Sequence, residues 1–214
     1  MSVITTMQPE QIICLPGAAG DRQQWVAALK HLNSPLPAHH VGWPGFTGEP
    51  SDPHVNSLSD LSERVVLPLL DRPSIVLAHS MGGVVACLAA LQRPQQITHL
   101  VLAVTSGGLD LSPYGAEDWR TTYQTAHPEW PHWFCQPTHQ LGINWYELTM
   151  PTLLLWAGSD PYSPVAVGQA LQQRIPRAHL RVADDAGHDL VRSHALWTAQ
   201  HIREHLSATQ GAFL

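Results

Sequence analysis

Short apolar runs alternate along this chain with longer stretches in which apolar residues recur every three or four positions. QIICL (11–15), SIVLA (74–78), THLVLAV (98–104), TLLLWA (152–157) and HLRVA (179–183) have the length and composition of strands, and 38–41 reads as a weaker one. Helical spacing begins at about Asp21 in DRQQWVAALKHL, where the aspartate stands as N-cap, and returns over 81–92, 165–174 and 190–206. SLSDLSERVVLPLL (57–70) is helical as well, with Ser57 as its cap and Pro68 bending or shortening it. GWPGFTGEPSDP is loop.

Strands and helices in this order form βαβ units. The expected fold is α/β, a three-layer sandwich with a mostly parallel sheet of about six strands and helices on both faces. Residues 1–214 are expected to form one domain, long enough to bury a sizeable core. One segment breaks the rhythm. From about 108 to 147 there are few strand or helix signals, yet eight of the fifteen aromatic residues lie there: Tyr114, Trp119, Tyr123, Trp130, Trp133, Phe134, Trp145 and Tyr146. An insertion of this length in a compact domain is usually functional, and it is expected to form a short lid.

Composition narrows the choices further. Hydrophobic residues make up 44% and charged residues 13%, which excludes a disordered chain. A net charge of −6 gives no basis for nucleic acid or an anionic membrane as partner. The start, MSVITTMQPEQIICLPG, lacks the basic and long apolar segments of a signal peptide, and no run approaches the roughly 20 apolar residues of a membrane helix. A soluble, cytoplasmic protein is expected. Cys14 and Cys87 lie in apolar runs and are expected buried and reduced, and with Cys135 they form no metal or redox spacing. Fourteen histidines invite a metal site, but there is no H-E-x-x-H, and His39, His40, His127 and His132 lie in loop-like, Pro-rich sequence. Most histidines are expected at the surface, and no metal or other cofactor is expected.

The chemistry starts at LAHSMGGVVA. A strand runs directly into a helix with Ser80 at the corner, the context that a G-x-S-x-G nucleophile elbow requires. The corner is sharp, so the positions two before and two after the serine must be small, and they are Ala78 and Gly82. The helix beginning after Ser80 aims its first N–H groups at the site, where they can hold developing negative charge. A serine N-cap on a buried helix is the ordinary alternative reading of the same letters.

With this elbow the chain resembles the α/β-hydrolase superfamily, and the remaining motifs follow that family's order of nucleophile, acid, histidine. The resemblance runs from roughly residue 11 to 206, with the lid as its least matched part. GSDPYSP after the 152–157 strand implies Asp160 as the acid, with Asp110 in SGGLDLSP as the alternative. DDAGHDLVRSHALW after the 179–183 strand implies His188 as the base, while His194 falls inside the closing helix and Asp184, Asp185 and Asp189 read as solvated loop charges. LPGAAGD resembles the family's H-G-x-x-G-D turn with Pro16 in place of histidine, which implies an oxyanion hole made by the backbone N–H groups of Ala18 and Met81. GWPGFTGEP resembles the D-x-P-G-x-G turn with Gly42 in place of aspartate and one extra residue. The resemblance implies that the family's first two strands are missing or reduced to residues 2–6, and at most a short antiparallel edge is expected.

The resemblance implies a serine hydrolase that cleaves a carboxylic ester or thioester through Ser80, His188 and Asp160 and an acyl-enzyme. The lid and the P-G-F loop are similar to small carboxylesterases such as the pimeloyl-acyl-carrier-protein methyl ester esterases, and thioesterases share the signature. Trp119, Tyr123, Trp130, Trp133 and Phe134 are expected to line the substrate site around an apolar group. The net negative charge disfavours docking of an acidic carrier protein, apart from a local patch including Arg120. C–C lyase or cofactor-free haloperoxidase chemistry on the same triad is the alternative enzyme reading, and a ligand-binding homologue without catalysis is the other. A monomer or weak homodimer acting on a small molecule is expected.

Overall fold

The computed structural model describes residues 7–209, so the 2–6 edge lies outside the described residues. Six strands form one sheet: β1 (Gln11–Leu15), β2 (Ala38–His40), β3 (Ser74–His79), β4 (Ile97–Ala103), β5 (Thr152–Ala157) and β6 (Ala178–Ala183), in the order β2-β1-β3-β4-β5-β6. Every pairing is parallel. The central strands are apolar on both faces because helices cover both. Ile13 and Leu15 face one core, with α3 (Met81–Gln92) and α5 (Val165–Arg174), and the intervening Ile12 and Cys14 face the other. That second core is closed by α1 (Val26–Leu32), α6 (Leu190–Ser193) and α7 (Ala195–Thr209).

The connection from β1 leads outward to β2, and that from β3 leads to β4 on the opposite side. The chain therefore changes direction between β1 and β3, whose last paired residues, Leu15 and Ala78, lie side by side. Loops leaving two such strands diverge to opposite faces and open a crevice, the place where open α/β sheets bind ligands. Pro16–Gly20 and Ser80 flank it.

Three helices depart from the periodicity. Helix α1 starts at Val26, not Asp21: the Asp21 carboxylate accepts from the Gln23 N–H at 2.7 Å and its carbonyl accepts from the Gln24 N–H at 3.1 Å, forming a turn. The 57–70 stretch begins as predicted, with Ser57 accepting from the Asp60 N–H at the start of α2 (Leu58–Leu61). It then widens into a π turn over Ser62–Val66 and tightens to 3-10 at Leu67–Leu69, because Pro68 has no N–H to give the residue four back. The closing helix breaks at His194, which caps α6 and pairs with Asp185 at 3.3 Å rather than sitting inside a continuous helix.

Between β4 and β5 the chain makes several 3-10 turns and one short helix, α4 (Arg120–Ala126). Its packing centres on Phe46, whose ring meets Trp130, Trp133 and Phe134 at 5.2, 5.6 and 5.5 Å. Cys14 and Cys87 are buried free thiols. Among the described residues no helix is long and apolar enough to cross a membrane, and no group of three or more His, Cys, Asp or Glu side chains could hold a metal ion.

Candidate active site

Ser80 occupies the corner between β3 and α3 with φ 51° and ψ −120°. A non-glycine residue with positive φ costs about 1–3 kcal/mol, and it persists only where surrounding bonds over-determine it. Here the Ser80 N–H donates to the Ala103 carbonyl and the Ser80 carbonyl accepts from the Gly83 N–H, both at 2.9 Å. Smallness after the serine is obligatory. A Cβ on Gly82 would lie 2.3 Å from the Pro16 carbonyl oxygen, and one on Gly83 would lie 2.5 Å from Thr105 Oγ1. The Ala78 methyl is fully buried at the end of β3 in the core beneath α3, so alanine fits where the motif has glycine.

Asp160 and His188 reach the corner from the ends of β5 and β6. Their loops meet because Gly158 lets the chain pass close: a Cβ there would fall 2.3 Å from the Asp184 carbonyl oxygen. The Gly158 and Ser159 N–H groups donate to Ala183 and Ala186, stitching the two loops together. Asp160 accepts from the Tyr162 N–H through Oδ1 at 2.8 Å and faces His188 Nδ1 through Oδ2 at 2.7 Å, with its side chain wholly buried. His188 Nε2 lies 2.9 Å from Ser80 Oγ. A carboxylate can only accept, so Nδ1 carries the proton and Nε2 is left to take one from the serine. The three residues thus form one continuous hydrogen-bonded relay. Asp110 is exposed instead, and its carboxylate is occupied by the N–H and hydroxyl of Ser112.

The turn after β1 supplies the opposite wall. Pro16 provides no bracing side chain, and two buried indoles brace the turn in its place. Trp25 Nε1–H donates to the Leu15 carbonyl at 3.0 Å and Trp43 Nε1–H to that of Gly17 at 2.8 Å, while Thr47 Oγ1–H donates to Ala19. The N–H groups of Ala18 and Met81 have no hydrogen-bond partner among the described residues. At Gly42 the space of an aspartate side chain is filled by the Glu49 carboxylate, which pairs with Arg22.

One functional neighbour was absent from the sequence reading. His79, directly before Ser80, is buried, and its Nε2–H donates to the His188 carbonyl at 2.8 Å. Burial, reinforced by the adjacent His188, pushes its pKa down to about 3, so the ring is neutral. His79 therefore ties the His188 loop to the strand that leads into Ser80. His99 and His205, whose rings meet edge to face at 5.7 Å, are likewise buried rather than at the surface, and burial lowers both to about 4. These three histidines set an acid limit on the fold. Each stays neutral when folded but protonates when unfolded below its ordinary value of 6.5. The unfolded chain therefore binds more protons, and stability falls as pH drops from 6.5 towards 4, by up to about 1.4 kcal/mol per pH unit for each histidine. Urea titrations across that range are expected to show this decline, and a flat profile would contradict it.

A cavity of about 340 Å³ opens over Ser80 and His188. Trp119, Tyr123 and Tyr162 form its aromatic side, and Asp21, Gln24, Asp189 and Arg192 its polar rim. The rim is cross-linked: Arg192 pairs with Asp21, and Gln24 Nε2–H donates to Asp189 at 3.0 Å. Tyr162, which sequence reasoning did not single out, meets the His188 ring edge-on at 5.3 Å. Of the five lid aromatics expected at the site, Trp119, Tyr123 and Phe134 line the spaces at Ser80. Trp130 and Trp133, like Phe134, bury their rings against Phe46.

A parallel sheet with a serine elbow at its switch point and an acid and a histidine on the following strands defines an α/β-hydrolase fold. A model of the alpha/beta hydrolase family matches residues 12–115 and one of the alpha/beta hydrolase fold matches 120–195; the chain belongs to the α/β-hydrolase family. Among curated proteins it is 24% identical over 230 aligned positions to the pimeloyl-[acyl-carrier protein] methyl ester esterase of Nitrosomonas europaea, covering 86% of this chain and 90% of that one. Among solved structures, a thermophilic esterase from Thermogutta terrifontis matches with a TM-score of 0.73 at 20% identity, over 95% of this chain and 92% of that one. A chain from Mycobacterium tuberculosis H37Rv described as a non-heme bromoperoxidase matches with a TM-score of 0.73 at 15% identity, over 95% and 94%. At these identities the two structures share the fold.

Proposed function

We propose that the protein is a serine hydrolase acting on a small carboxylic ester or thioester, with Ser80 as nucleophile, His188 as general base and acid, and Asp160 as the group that orients and charges His188. The reading rests on the hydrogen-bonded relay of these three side chains, 2.9 and 2.7 Å long. Ser80 Oγ attacks the carbonyl carbon while its proton passes to His188 Nε2, and the carbonyl oxygen becomes an oxyanion held by the Ala18 and Met81 N–H groups. Collapse of this intermediate breaks the bond to the alcohol or thiol, which leaves with the proton from His188. Water then attacks the acyl-Ser80 ester, again through His188, and releases the acid. The aromatic wall of Trp119, Tyr123 and Tyr162 suits an apolar part of the substrate, and the cavity volume suits a small one.

A fluorophosphonate probe tests the nucleophile directly. Stoichiometric labelling of the wild-type chain that vanishes in Ser80→Ala is expected, together with turnover of p-nitrophenyl acetate. Labelling that survives in Ser80→Ala would overturn the assignment.

A further inference from the structure

Beyond Ser80 the site continues into a narrow space of about 30 Å³, walled in part by Met81, Trp119, Arg120 and Phe134. Leu111, Trp119, Arg120 and Thr138 also line a larger cavity of about 460 Å³ on the far side, so the small space is a neck between that cavity and the nucleophile. Arg120 stands on the wall common to both. Its guanidinium carbon lies 5.2 Å from the centre of the Trp119 ring. One end is held by Asp118, with Nη1 3.3 Å from Oδ1. The Nε–H is buried and has no partner among the described residues.

A guanidinium stacked on an indole keeps its in-plane donors available for a planar, bidentate acceptor. A buried donor with no acceptor is costly, and this one belongs to a residue on the wall of both cavities, where a ligand can supply the acceptor. The acceptor must be small enough for the neck and negatively charged to match the guanidinium. A carboxylate meets both conditions. The outer cavity above Ser80 is the wider exit, where an alcohol can depart first, so the neck holds the acyl part that remains on the enzyme. Beyond Arg120, the larger cavity carries Asp110 and Glu117, which repel an anion placed past the guanidinium.

Resting on the hydrolase reading above, we infer that Arg120 receives a carboxylate at the end of the substrate's acyl group. The preferred substrates are then half-esters of short dicarboxylic acids. Chain length is limited from both sides, by the reach from Ser80 to Arg120 and by the acidic cavity behind it.

The test compares monomethyl glutarate with methyl pentanoate by pH-stat kinetics, adding the monomethyl esters of succinate and suberate for length. In the wild-type enzyme kcat/KM is expected to favour the charged short esters and to fall for suberate. In Arg120→Gln the charged-to-neutral ratio should fall about 10- to 100-fold, the effect of one charge-assisted hydrogen bond. Arg120→Lys, which keeps the charge, should recover part of that ratio. An unchanged ratio in both variants would overturn the inference. Calorimetric titration of glutarate into Ser80→Ala, with and without Arg120→Gln, reports on the subsite without turnover. Glutarate binding that depends on Arg120, in a chain that no fluorophosphonate labels, would uphold the subsite and overturn only the hydrolase reading. Intact labelling with no glutarate binding would do the reverse.

Discussion

Replacing Ser80 or His188 by alanine is expected to lower kcat on an activated ester by about six orders of magnitude, and replacing both to cost little more than either alone. The reason lies in the relay. Without His188 Nε2, 2.9 Å from its hydroxyl, Ser80 must shed its proton to water as it attacks. Without Ser80 the imidazole has nothing to activate in the first step. Residual catalysis in either variant would come from the Ala18 and Met81 amides and from substrate binding, which neither substitution touches. Steady-state rates normalised by active-site titration of the wild type, with single-turnover assays for the variants, measure this. Independent, additive losses would show that the two side chains do not act as a unit.

Asp160→Asn is expected to cost about 10⁴-fold in kcat with little change in KM. Asparagine has nearly the same shape, but its NH₂ can turn towards His188 Nδ1 and hold the imidazole in the tautomer whose Nε2 is protonated. That tautomer cannot accept the Ser80 proton. The carboxylate is sealed from solvent, so no water replaces the lost charge when the imidazole becomes cationic. Asp110→Asn should change kcat by less than about twofold, since Asp110 is exposed and bonded to Ser112. A larger loss at Asp110 than at Asp160 would transfer the acid's role to Asp110.

Much of this arrangement was legible in the sequence. Buried strands in a parallel sheet are apolar on both faces, so QIICL and TLLLWA announced β1 and β5 to the residue, and α3 and α5 matched their predicted limits. Ser80, Asp160 and His188 stood out because each follows a strand in the family's order, and the structure brings those three side chains together. What stayed hidden depends on partners remote in sequence. Asp21 carries the letter of a helix cap, but its carboxylate closes a turn on the Gln23 N–H and pairs with Arg192, 171 positions away, and α1 begins only at Val26. His79 lies in a strand buried on both sides, where alternation carries no information about direction, so its tie to His188 left no trace in the pattern. Aromatic content marked 108–147 as an unusual segment, but composition cannot tell which of its rings face Ser80 and which pack on Phe46. The Arg120 Nε was equally silent, because an unpaired donor is a property of surroundings.

Phe46 has a consequence for how this enzyme can change over evolutionary time. Trp130 and Trp133 anchor on a ring in the loop between β2 and α2, whereas Ser80, Asp160 and His188 are fastened to strand ends and to one another. Attachment of the cover thus draws mainly on bonds other than those that align these three side chains, with the Glu117 N–H to Pro161 carbonyl bond as a link between the two. Of the cover residues that face the cavities, Trp119 and Tyr123 also pack on Phe134 and Trp130, whereas Arg120 bonds to none of Ser80, Asp160 and His188, so its exchange is expected to leave those three in place. Selectivity is then separately heritable from turnover where a position, like Arg120, touches the cavity and neither the Phe46 cluster nor the Asp160 loop.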